Sequence, residues 1–119
     1  MSPSSLWPTE LRLSKDKSSL TVSFEDGAPY TLQAEYLRVR SPSAEVQGHS
    51  PEQRVTVGGK RAVKITNLEP VGNYAVRITF DDGHNTGLYS WSYLRDLGAK
   101  HDERWAEYLA ELAEKGLSR

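Results

Sequence analysis

A short block recurs in this chain and limits what it can fold into. Val22-Ser-Phe-Glu-Asp-Gly27 reappears as Ile78-Thr-Phe-Asp-Asp-Gly83. The residues beyond each block also match: Tyr30-Thr-Leu32 and Tyr36-Leu-Arg38 follow the first, Thr86-Gly-Leu88 and Tyr93-Leu-Arg95 the second. Phe24 pairs with Phe80, Gly27 with Gly83 and Leu32 with Leu88, and one inserted residue then brings Tyr36-Leu37-Arg38 onto Tyr93-Leu94-Arg95. Self-similarity within a chain marks repeated supersecondary structure. The residues that recur, aromatics, leucines and turn formers, are those a duplicated packing unit needs.

Each copy reads as strand, Asp-Gly turn, strand and short helix. Leu20, Val22 and Phe24 alternate with Thr21 and Ser23, and Tyr74, Val76, Ile78 and Phe80 alternate with Ala75, Arg77 and Thr79. Period-2 alternation predicts half-buried strands. Asp26-Gly27 and Asp82-Gly83 tolerate the positive φ of a hairpin turn. The returning strands are Pro29 to Gln33 and Thr86 to Tyr89, and Ser90 suits the N-cap of a helix from Trp91 to Leu97 with Gly98 beyond its end. Between the copies, 41–56 is rich in Ser, Pro and Gly and reads as loop or a turn of helix. Val55 and Val57 lead to Gly58-Gly59, Ala62 to Thr66 reads as a strand, Glu69 to Asn73 as a turn, and Thr9 to Leu13 as an edge strand. Trp105, Tyr108, Leu109 and Leu112 recur at helical spacing opposite Glu103, Glu107, Glu111 and Glu114, with Gly116 as the stop. The expected fold is α+β: mostly antiparallel β with two hairpin-plus-short-helix units and a C-terminal amphipathic helix packed on the sheet. Its divisions are a frayed tail at 1–8, a domain at 9–98, and the helix and tail at 99–119.

Composition narrows the function. Zero cysteines remove disulfides, thiolate nucleophiles and thiolate metal sites. Fifteen basic against 16 acidic residues give no field for nucleic acid or an acidic membrane. No secretory signal or membrane span is visible, so the expectation is a cytoplasmic protein, a monomer or weak dimer, that binds neither nucleic acid nor membrane.

The ordered set Phe24-Glu-Asp-Gly27, Tyr36-Leu-Arg38, Ser41-Pro-Ser-Ala-Glu-Val-Gln-Gly-His49, Glu69-Pro-Val-Gly-Asn-Tyr-Ala-Val76, Phe80-Asp-Asp-Gly-His84 and Tyr89-Ser-Trp91 resembles a family of small bacterial proteins of unknown function. That family is similar to the N-terminal domain of gamma-butyrobetaine hydroxylase. The resemblance runs from about Leu11 to Leu97. It implies an accessory domain outside the oxygenase chemistry, one that also occurs joined to P-loop iron–sulfur carriers. It therefore implies a protein partner, with a P-loop iron–sulfur carrier as the candidate, and a link to iron–sulfur cluster assembly or metal handling. It further implies a zinc site whose histidine matches His84 and whose three cysteines align with Ser41, Ser43 and Val46. Serine and valine do not replace thiolates, so that zinc site is dismantled here.

Two readings stand for His84. Either it hydrogen-bonds its own turn while His49 is solvated, or Asp82, His84 and His49 make an oxygen- and nitrogen-ligand site for iron, zinc or manganese. Tyr89, Trp91 and Tyr93 are either core or a partner-binding surface. Lys60, Arg61 and Lys64 are a solvated face or an anion contact, and Gly58-Gly59-Lys60 lacks the remainder of a P-loop. His101 has no assigned role. No nucleophile motif is present, and the expectation is a non-catalytic accessory or protein-binding module, with a metal-binding protein as the alternative.

Overall fold

Alternation along the first repeat builds a half-buried sheet. In the computed structural model, which describes residues 8–48 and 55–119, Leu20, Val22 and Phe24 all point inward from strand β2 (Ser19–Phe24). Strands β1 (Pro8–Leu13) and β3 (Tyr30–Gln33) flank it antiparallel. Helix α1 (Ala34–Val39) follows β3 directly, and the single turn α2 (Ala44–Gln47) follows that. The second repeat gives β4 (Ile65–Val71), β5 (Ala75–Phe80) and β6 (Leu88–Ser90), again antiparallel with β5 central. Helix α3 (Trp91–Ala99) starts where β6 ends, capped by the Ser90 hydroxyl on the Tyr93 N–H, and α4 (His101–Glu114) follows it. The fold is thus α+β, with two three-stranded antiparallel sheets and a C-terminal helix. No described helix is long and apolar enough to cross a membrane.

The two units clasp each other reciprocally. Tyr36 of α1 donates its hydroxyl to the Leu97 carbonyl at 2.8 Å, and Tyr93 of α3 donates to the Arg40 carbonyl at 2.5 Å. Tyr36 and Tyr93 are matched positions, and Arg40 and Leu97 each stand four places further on. The Arg38 guanidinium holds Asp82 at 2.8 Å, while its counterpart Arg95 holds Asp26. Contact of i with j repeated as j with i is the signature of a two-fold interface, here within one chain. Between the sheets and helices Leu20, Phe24, Leu37, Ile78, Phe80 and Leu94 share one core. Each fully buried side chain of this size contributes about 1.5–3 kcal/mol.

Several expectations are corrected. The inserted residue precedes Leu88: Leu20 pairs with Leu32 and Val76 with Tyr89, so Tyr89 is the counterpart of buried Leu32, and Leu88 is 38% exposed. Strand β4 runs through Glu69 and Pro70, because an edge strand tolerates a missing N–H, and the turn falls at Gly72 and Asn73. Val55, Val57 and Ala62 lie outside any strand. Gly98 lies inside α3, where a Cβ would meet the Tyr30 ring at 2.3 Å; its reason is close packing. Of the two Asp-Gly turns only the second uses positive φ, at Gly83. In α4, Tyr108 and Leu112 pack on Val39 and Val57, with Trp105 between this cluster and the main core. Leu109 is 40% exposed and leaves the stripe. Residues 1–7 of the expected tail lie outside the described residues, and Pro8 begins β1.

Candidate functional site

The second hairpin turn carries a dense polar cluster. Asp82 Oδ1 accepts the His84 N–H at 3.0 Å, which sets the turn, and the Phe80 N–H donates to the His84 carbonyl at 3.0 Å. Asp82 Oδ2 meets both Arg38 Nε, at 2.8 Å, and Lys60 Nζ, at 2.7 Å. Burial alone would raise the Asp82 pKa, but Lys60, the His84 N–H and Arg38 together outweigh it and hold the carboxyl well below its usual range. The His84 ring is buried, with Nε2 at 2.9 Å from Ser41 Oγ and Nδ1 at 3.2 Å from Glu45 Oε2. Burial lowers its pKa and the Arg38 charge lowers it further, against Glu45 and Asp82. The ring is therefore neutral at pH 7. Ser43 caps α2 on the Glu45 N–H and shares a 2.7 Å hydrogen bond with Thr86.

Ser41, His84 and Glu45 have the order of a hydrolytic triad, an arrangement no local motif announces. Ser41 is wholly buried, so an acyl substrate has no approach to its Oγ, and its hydroxyl also accepts the Ser43 N–H. The cluster orders the chain between α1 and α2.

The aromatic group is absorbed by packing. Tyr89 is fully buried and donates to the Leu37 carbonyl at 2.5 Å, so it presents nothing to a partner. Burial pushes its phenol pKa up. Trp91 and Tyr93 are half-buried, with the Trp91 indole on the Asn73 carbonyl at 2.9 Å and the Tyr93 hydroxyl in the clasp. Of the three residues considered from the sequence as a partner surface, Tyr89 is withdrawn into the core, and Trp91 and Tyr93 keep part of their rings exposed.

A different place does present mixed chemistry. A groove of about 330 Å³ lies between the first unit and α4, lined among others by Gln33, Glu35, Arg61, Lys64, His101 and Trp105. Its floor holds Tyr36, against whose ring His101 stands edge-on at 4.8 Å. Lys60 is spent on Asp82, whereas Arg61 and Lys64 reach this groove. Sequence reasoning noted the basic residues and the Trp105 stripe separately; nothing in their spacing joins them.

With this geometry in view, comparison with known proteins is informative. Residues 11–95 match the family described as gamma-butyrobetaine hydroxylase-like, N-terminal. The chain belongs to that family. Two proteins with NMR solution structures are similar over nearly their whole length. One is 47% identical with a TM-score of 0.81, covering 95% of this chain and 89% of its own. The other is 48% identical with a TM-score of 0.79, covering 100% and 90%. A protein of unknown function from Acidithiobacillus ferrooxidans, of the DUF971 family, is 38% identical with a TM-score of 0.67, over 82% of this chain and 99% of its own. No curated protein matches. The gamma-butyrobetaine hydroxylase-like match spans both clasped units and ends within α3, so Trp105 and all of α4 lie outside it.

The family resemblance raised zinc, and iron was the other candidate. Among the described residues no three His, Cys, Asp or Glu side chains converge on a common point. Asp82 is committed to two cations, and both His84 ring nitrogens have partners. His49, the third candidate ligand, lies outside the described residues. Ser41 fills the space beside His84 with a hydroxyl, and Val46 is buried. The described donors do not fit zinc or iron.

Proposed function

We propose that this member of the gamma-butyrobetaine hydroxylase-like N-terminal family is a non-catalytic, cytoplasmic protein-binding module. Its partner is a P-loop iron–sulfur carrier, which places it as an accessory to iron–sulfur cluster assembly. The observation that supports binding over catalysis is the groove between the first unit and α4. There Tyr36 and Trp105, the buried Glu35 carboxylate and the cationic Arg61, Lys64 and Arg119 line one open cavity, a mixture suited to interface hot spots. The polar residues of the second turn are by contrast paired with one another and with the backbone. The proposed partner rests on the family resemblance.

Isothermal titration of purified P-loop iron–sulfur carrier into the full chain tests this reading. One-to-one binding is expected, weakened about tenfold by Trp105→Ala, as for an interface anchor, and measurably by the surface variant Lys64→Glu. Absence of binding by the wild type overturns the partner. Equal binding by both variants overturns the groove.

A further inference from the structure

The floor of the groove contains a buried acid with an unusual counter-ion. Glu35, in α1, is 6% exposed, and its carboxylate is met by Arg119 through two parallel hydrogen bonds, Nη2 to Oε1 at 2.8 Å and Nε to Oε2 at 3.0 Å. The same guanidinium lies over the Trp105 ring, 5.2 Å from its centroid. A planar fork on a carboxylate with its charge over an indole is the arrangement that favours arginine over lysine.

The segment that delivers Arg119 is short and held by backbone contacts. Helix α4 ends in a Schellman turn: the Leu117 N–H donates to the Leu112 carbonyl at 2.8 Å, and Gly116 takes the left-handed conformation that reverses the chain. The Ser118 carbonyl then accepts the Gly59 N–H at 2.9 Å. A Cβ at Gly58 would come within 2.8 Å of that carbonyl oxygen. The Gly58-Gly59 pair is therefore the seat of residues 117–119, a role unrelated to phosphate. Leu117 remains 44% exposed, and the Arg119 side chain is 36% exposed at its station. Beside it the groove stays open, with Arg61 and Lys64 on its wall.

We infer that Glu35 and Trp105 form an arginine-recognition pocket which Arg119 of the same chain occupies, and which an arginine side chain of a partner protein takes by displacing it. A carboxylate this buried is costly without a cation, so Arg119 is out of the pocket only a minor fraction of the time, and a second guanidinium fills the place it leaves. The cationic wall favours a partner arginine with an acidic neighbour. Residues 117–119 thus act as an internal competitor that lowers apparent affinity by the fraction of time the pocket is open. The inference deepens the binding-module reading and relies on the same groove.

The test titrates N-acetyl-arginine amide, with N-acetyl-lysine amide as control, into the full chain while the Trp105 indole N–H is followed by NMR. Arg119→Ala is expected to bind the arginine compound about tenfold more tightly than wild type, as for a pocket open about a tenth of the time. The lysine compound should bind more weakly than the arginine compound, and Arg119→Ala with Glu35→Gln should lose the preference. Glu35→Gln is buried, so Trp105→Leu in the Arg119→Ala background, read through the backbone amide of Glu35, supplies a second loss of binding. Equal affinities in wild type and Arg119→Ala, or no Trp105 shift in either, overturn the inference. Carrier binding that is unchanged by Glu35→Gln but lost in Lys64→Glu would sink arginine recognition and leave the module standing. Arginine binding without carrier binding would do the reverse.

Discussion

The two hairpin turns occupy matched positions and meet different fates. In the first, Asp26 binds Arg95 at the surface, with side chains 46% and 30% exposed. In the second, Asp82 binds Arg38 with side chains 18% and 12% exposed, and Lys60, Ser41 and Glu45 gather around the turn. The interaction is the same under the duplication; its shielding is not. One copy has kept the turn as a simple clasp, and the other has enclosed it as the hub that orders the following loop. Ala28 stands in the first copy where His84 stands in the second, and the imidazole bridging Ser41 and Glu45 accounts for much of the difference.

Breaking the copies apart should expose this asymmetry. The largest effect tests their register. Leu32→Ala should cost about 3 kcal/mol in urea melts, whereas Leu88→Ala should stay within about 0.5 kcal/mol, because the counterpart of Leu32 is Tyr89. Equal losses at Leu32 and Leu88 would restore the simple alignment of the two leucines. Next comes the ion pair. Arg38→Ala should cost about 2 kcal/mol, since a shielded carboxylate loses a donor, while Arg95→Ala should change stability far less because its pair is screened by water. The tyrosine clasp follows: Tyr36→Phe should cost about 1 kcal/mol for one buried hydrogen bond, and Tyr93→Phe somewhat less at its half-buried site.

The smallest effect is a pH dependence carried by His84. Its pKa in the fold lies below its ordinary 6.5. Well above 6.5 neither the folded nor the unfolded chain holds the proton. Below it the unfolded chain binds the proton first, so stability falls as pH falls toward the folded value. His84→Gln should flatten that fall below pH 6.5 in thermal melts. An identical slope in the variant would remove His84 as the cause.

Local rules made the units legible and left their partnership hidden. Alternation gave away Leu20 to Phe24 and Val76 to Phe80, Ser90 announced α3, and Gly116 announced the end of α4. Gly98 misled because a glycine near a helix end looks the same whether it stops the helix or admits the Tyr30 ring. Pro70 misled because only the sheet shows that β4 is an edge. The Asp82–His84 turn was visible as a candidate, yet its partners Ser41, Arg38 and Lys60 are far off in sequence, and no spacing rule links them. The groove was less visible still. It is assembled from β3, α1, the segment before β4, α4 and Arg119, so it exists only once the clasped units have placed those segments side by side.

The duplicated units clasp one another, and recognition belongs to the groove between the first unit and α4. Amide shift mapping of the labelled chain with purified P-loop iron–sulfur carrier tests this most directly. The prediction is that Gln33, Glu35, Lys64 and the Trp105 indole move while the turns at Asp26 and Asp82 stay in place. Shifts confined to the Asp82–Thr86 turn, or none anywhere, would contradict it.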